Sequence, residues 1–110
     1  MTLPRIMVVD EIRELLAAPR PQEAEPFLAR LDATLTAGYA HALQLEAERW
    51  RLERRIGEVA AELARDTSVA RAEELAALSQ RLSSANESIT SLRALLTSLR
   101  DKRSEVRTAA

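Results

Sequence analysis

The side chains with most capacity for chemistry are Arg49, Arg51, Arg54 and Arg55, with Arg81 further along, and the chemistry they suit is anion binding. A guanidinium stays charged and presents a planar fork of donors that matches phosphate or carboxylate. A nucleotide phosphate held by Arg49, Arg51, Arg55 and Arg81 is one reading. The acids Glu48, Glu53 and Glu58 interleave with them at helical i,i+3 and i,i+4 spacings, which makes surface ion pairs. A basic region that binds nucleic acid carries far fewer acids, so neither DNA nor RNA is an expected partner. The remaining carboxylates of this stretch, Glu46 and Glu62, alternate with Arg in the same way. With a single histidine, His41, and no cysteine, no ligand set converges as a metal site does. No Gly-rich loop is present to cradle a phosphate. The expectation is a protein that is not an enzyme and takes no cofactor.

Composition narrows the class. Alanine, leucine, glutamate and arginine dominate the 110 residues, the aromatics are Phe27, Tyr39 and Trp50, and glycine occurs only at Gly38 and Gly57. Such a chain belongs with coiled coils and long helices. A formal net charge of −1 supplies no field towards nucleic acid or anionic membrane. Near the N-terminus, Ile6, Met7, Val8 and Val9 form an apolar run that Asp10 and Glu11 interrupt, too short for a signal peptide or a membrane span. A cytoplasmic location is expected. Fifteen arginines against one lysine, with abundant alanine, point by codon logic to a GC-rich genome and so to a bacterium.

Two apolar seams stepping 3-4-3-4 position these residues. The first runs Leu28, Leu31, Leu35, Gly38, Ala42, Leu45, Arg49, Leu52, Ile56, Val59, Leu63; the second runs from Leu75 and Leu78 through Leu82, Ala85, Ile89, Leu92, Leu96 and Leu99 to Arg103 and Val106. They mirror each other about Thr67. A continuous helix through Asp66-Thr67-Ser68 would turn the second seam about 120° away from the first, at about 100° per residue. A break there, with Thr67 or Ser68 as cap and Glu73 and Glu74 in the early turns, lets the seams face each other. The fold class expected is therefore all-α: a long antiparallel coiled-coil hairpin over residues 22–110, with helices at about 26–65 and 69–108, the first starting at Pro26, whose fixed φ suits the first helical position. Residues 1–21 form an N-terminal arm with a short helix over 10–18 capped by Asp10, stopped by Pro19 and Pro21. Arg103 should lay its stem on the seam beside Leu31, and Arg49 should snorkel past Ala85 towards a neighbouring acid.

The first helix carries a second stripe on its opposite side: Ala29, Ala33, Thr36, Ala40, Leu43, Ala47, Trp50, Arg54, Gly57, Ala61, Ala64. It holds no acid and one arginine, where a solvated face would hold Glu and Lys. Tyr39 flanks it. Trp is enriched at interface hot spots, so Tyr39, Leu43, Ala47, Trp50 and Arg54 are the candidate interface. The arm reaches only as far as Tyr39, so a second copy, giving a four-helix homodimer, or another helical protein is the expected partner. The arm's Val8, Val9, Ile12, Leu15 and Leu16 make a second candidate docking element. On the second helix the pairs Ser83-Ser84, Thr90-Ser91 and Thr97-Ser98 recur every seven residues as a solvated face.

The function expected is a non-catalytic interaction module, an adaptor, scaffold or regulatory subunit. The alternatives are a ligand-responsive transcription regulator of anti-sigma type and an architectural protein on nucleic acid. The helical signature of anti-sigma factors that bind cyclic di-GMP, Glu-x3-Ser-x2-Arg-x3-Gln-x3-Asp, finds Glu87 and Ser91 but meets Ala94, Ser98 and Lys102 at its other positions, so no membership follows.

Overall fold

A computed structural model describes residues 5–109. Three helices make up its regular structure, α1 (Arg5–Ala17), α2 (Ala24–Arg65) and α3 (Val69–Ala109), with no strand among the described residues. The all-α fold expected from the seams is the fold observed. The residues group into two compact units. One takes those up to Leu43 together with those from Ser91 on, and the other is Gln44–Thr90. Within each unit α2 and α3 run antiparallel. In the first, Asp32 pairs with Arg103 and Tyr39 with Arg100; in the second, Arg55 pairs with Glu74 and Glu62 with Arg71.

The helix ends follow from local chemistry. α2 starts two residues earlier than expected, at Ala24, so Pro26 is its third residue and not its first; it is still in the first turn, where a missing N–H costs no intrahelical bond. The break falls at residues 66–68 without glycine and without any positive φ among the described residues. The Asp66 N–H donates to the Glu62 carbonyl at 2.9 Å, closing α2, and the Ala72 N–H donates to the Ser68 carbonyl at 3.0 Å, opening α3. The start of α1 differs from expectation. The helix begins at Arg5, so Asp10 is an interior residue and caps nothing. The reason is Val8, which shares one buried face with Ile12 and Leu15 and can do so only if the helix already exists at residue 8.

The first unit is a three-helix core. Leu31, Leu92 and Leu99 from the long helices, and Ile12 and Leu15 from α1, are essentially fully buried. Phe27, Thr34 and His41, spaced by sevens on the flank of the α2 seam, are all buried, and α1 meets α2 through Glu11 on Arg30 and Ile12 beside Gly38. Gly38 allows the closest approach: a Cβ there would collide with the Leu96 side chain and lie 3.4 Å from Ile12 Cδ1.

Lys102, the chain's one lysine, holds the end of α1. Its ammonium donates to the carbonyls of Leu15 (2.7 Å), Leu16 (3.0 Å) and Ala18 (2.6 Å). Three donors meet three carbonyls left open by the end of a helix, at the pole where the macrodipole favours a cation. The same ammonium sits 5.7 Å from the centre of the Phe27 ring. An ammonium converges its three N–H groups from one point, whereas a guanidinium spreads its donors over a planar fork. Arg30 adds a 2.7 Å ion pair to Glu11. Arg103 pairs with Asp32 rather than merely resting its stem beside Leu31.

The second unit has two helices and closes less completely. Leu45, Val59, Leu78 and Ile89 are buried, whereas Leu52, Ile56, Leu63, Leu75 and Leu82 are only half-buried. Its edge is tied by charge, with Arg71 on Glu62 and Arg55 on Glu74 at 3.0 Å.

Lys102→Met keeps the apolar stem and removes the three bonds. Hydrogen bonds to a charged group contribute about 1.5–3 kcal/mol. The variant should raise exchange of the α1 amides by roughly thirtyfold, the factor that corresponds to about 2 kcal/mol, and leave the amides of residues 44–90 unchanged. Unaltered α1 protection in hydrogen-exchange mass spectrometry would show that the lysine does not hold the helix.

Candidate functional site

The outward stripe of α2 is the site built from the residues expected to form it. All eleven stripe residues from Ala29 to Ala64 are exposed. Leu43 is 68% exposed in the first unit and Trp50 59% exposed in the second. α1 approaches α2 through Ile12 at Gly38 and Glu11 at Arg30, neither of which belongs to this stripe.

The individual side chains are prepared to different degrees. Arg54 lies over Trp50, its guanidinium carbon 5.5 Å from the ring centre, and its Nε is 3.7 Å from Glu58. The cation and the ring thus form one amphipathic knob. Tyr39 is less free, since its hydroxyl accepts a 3.4 Å hydrogen bond from Arg100. That bond is the leading cause holding the Arg100 guanidinium above its ordinary pKa. Thr36 turns its hydroxyl back to the Asp32 carbonyl at 3.0 Å, so it offers a methyl group outward. At Gly57 nothing lies within 4 Å of the place a Cβ would occupy.

The second candidate element, the arm, is employed within its own unit. Val8, Ile12 and Leu15 are buried and Val9 and Leu16 half-buried. The face expected to enter a partner's groove is therefore the face that seats α1 on α2 and α3.

The arginines divide. Arg51, Arg55 and Arg81 line one open groove of about 990 Å³ in the second unit, over a floor that includes Leu45, Leu52 and Leu78. Arg49 is not among its lining residues and instead approaches Glu53 at 3.8 Å, as a snorkelling residue should. Arg55 is committed: it donates to Glu74 at 3.0 Å and to Glu58 at 3.2 Å. These bonds, the one to Glu74 first, raise its pKa above the ordinary arginine value. Glu48 lines the same groove, so the local field is mixed rather than basic. Among the described residues no cluster of three or more His, Cys, Asp or Glu could hold a metal ion, and no helix is long and apolar enough to cross a membrane. Ser83, Ser84, Thr90, Ser91, Thr97 and Ser98 are all exposed.

Three features escape sequence reading. Thr34 and His41 are buried although polar, and nothing in the apolar spacing marks them as such. Lys102 meets carbonyls 84 to 87 residues away, a contact with no local signal. Gly38 is placed in the seam by its spacing, but the collision that demands a glycine depends on the Leu96 rotamer.

Comparison with protein-family models, with curated proteins and with solved structures yields no match to this chain.

The two glycines should respond in opposite directions to the same substitution. An interior helical Gly→Ala change contributes about 1 kcal/mol of helix propensity. Gly57→Ala meets open space and should gain it, raising Tm by about 4–8 °C for a chain of this size. Gly38→Ala must displace Leu96 within a packed core, an overpacking cost of about 1–3 kcal/mol, and should lower Tm instead. Thermal unfolding followed by circular dichroism checks both, and a stabilised Gly38→Ala would contradict the close approach of α2 and α3.

Proposed function

We propose that this protein is a non-catalytic interaction module, an adaptor, scaffold or regulatory subunit, that acts through helix–helix contact and associates with a second copy of itself along the outward stripe of α2. The observation that supports the reading is the exposure of Leu43 and Trp50 on a stripe with no acidic residue. An exposed Trp flanked by small residues offers area without the entropy cost of ordering long polar side chains. The near-neutral charge of the chain removes the long-range repulsion that would otherwise keep copies apart.

The ligand-responsive alternative draws on the groove lined by Arg51, Arg55 and Arg81. An anion entering it would have to displace Glu74 and Glu58 from Arg55 and lie near Glu48. That competition weighs against the alternative. A nucleic-acid role has less support still, given the acids interleaved with every basic residue of the cluster.

Light scattering coupled to size exclusion, at protein concentrations from about 10 to 500 μM, tests the proposal; that range brackets the micromolar dissociation constants of modest helix–helix interfaces. The wild type should carry the mass of two chains, and Trp50→Glu should carry the mass of one while keeping its helical spectrum. A wild type that stays monomeric throughout would remove self-association from the proposal.

A further inference from the structure

We propose that the groove of the second unit, between Arg51 of α2 and Arg81 of α3, docks an amphipathic helix of a partner protein that has a narrow apolar face and a carboxylate on each flank. This face is separate from the outward stripe of α2, and a monomeric wild type would leave it standing.

The first unit shows what such a groove takes. There Arg30 of α2 and Lys102 of α3 hold α1, Arg30 on the Glu11 carboxylate at 2.7 Å and Lys102 on the carbonyls that end the helix. Three heptads along each long helix, in the opposite numerical directions that antiparallel packing requires, stand Arg51 and Arg81. Their places relative to the seam are the same. Arg30 and Arg51 immediately precede the seam residues Leu31 and Leu52, and Lys102 and Arg81 immediately precede the seam residues Arg103 and Leu82. The mirror about Thr67 sets each α2 cation level with its α3 counterpart to within about 3 Å, at 1.5 Å per residue. The second unit thus repeats the two cations that grip α1, and both line its open groove.

That groove has the shape and charge of a helix seat. Its floor is apolar, with Leu45 and Leu78 buried and Leu52 half-buried, and Ala77 and Ala85 leave room on the α3 side. Its α2 wall runs from Leu45 to Arg55, about 15 Å or nearly three helical turns. Among the described residues, the ion pairs of this unit engage Arg49, Arg54, Arg55 and Arg71 but neither Arg51 nor Arg81. Both of the latter are exposed.

The differences from the first unit define the occupant. Glu48 and Arg55 stand where the first unit has Phe27 and Thr34, so the apolar stripe that fits is narrower than that of α1. Arg81 replaces the ammonium of Lys102 with a planar fork, which matches a carboxylate rather than a cup of carbonyls. Among the described residues no helix of this chain offers that combination. α1 has its apolar face buried, the outward stripe of α2 holds no acid, and the outer face of α3 presents its exposed Ser and Thr pairs. The helix therefore comes from another protein, laid into the groove by its apolar face.

The probe is a fluorescein-labelled peptide of residues 5–18 carrying L16E. It has the α1 apolar face, Glu11 on one flank and a second acid on the other, at about 100° per residue. Fluorescence polarization with the full chain at low salt should give a dissociation constant of about 100 μM or tighter. The double variant R51E/R81E should bind it at least tenfold more weakly, with an unchanged circular-dichroism melt because both side chains are exposed. A peptide carrying E11R and L16R should reverse the preference and bind R51E/R81E better than wild type. No binding by wild type at about 1 mM peptide would overturn the docking site. Equal binding by wild type and R51E/R81E would place the peptide in the first unit and overturn it too. A doubled mass in light scattering that R51E/R81E loses while Trp50→Glu keeps it would make the occupant a second copy, and would overturn the partner protein.

Discussion

Two helices packed side by side can enclose only the stripe between them, and that limit organises this protein. Where α1 lies across the pair, side chains from three directions close on Leu31, Leu92 and Leu99, and exposure falls to almost nothing. Where α2 and α3 are alone, Leu52, Ile56, Leu63, Leu75 and Leu82 stay half in contact with water. The chemistry of the flanking positions follows the same division. Phe27, Thr34 and His41 are buried, whereas their heptad successors Glu48, Arg55 and Glu62 are only half-buried, with Arg55 and Glu62 engaged in ion pairs. Such exposed pairs contribute little to stability, so the two-helix unit depends on its narrow seam and on whatever else its helices touch.

α1 is held by contacts of a different kind from those that join the long helices. Its apolar side chains supply most of the burial, and Lys102 ties its end down through three hydrogen bonds to carbonyls, beside the Phe27 ring. Glu11 on Arg30 fixes the other flank. The arm is therefore a seated element with a defined end, and the apolar residues that made it resemble a free docking peptide are the ones that seat it.

Much of this was legible in the amino acids. The 3-4 spacing of leucines gave two helices, and the 120° mismatch between seams located the break at residues 66–68 without help from glycine or proline. The outward stripe was legible for a negative reason, the absence of acids around Trp50, and its residues are indeed exposed. What could not be read depended on meetings between distant residues. Nothing local in Lys102 announces that it will reach Leu15, Leu16 and Ala18, and nothing in Thr34 or His41 distinguishes a core flank from a surface. The helical start of α1 at Arg5 was missed because Asp10 offered a plausible cap, a local signal that the burial of Val8 overrides.

α2 thus has an inner face packed on α3 and an outer face that the described residues leave exposed. The account stands or falls on whether that bare face is covered when molecules meet. Trp50 is the one tryptophan of the chain, so its fluorescence reports this face alone. The most direct measurement is acrylamide quenching of that fluorescence across a dilution series. Quenching should be weak with blue-shifted emission when the protein is concentrated, and should rise with a red shift on dilution. Strong quenching that does not change with concentration would contradict the account.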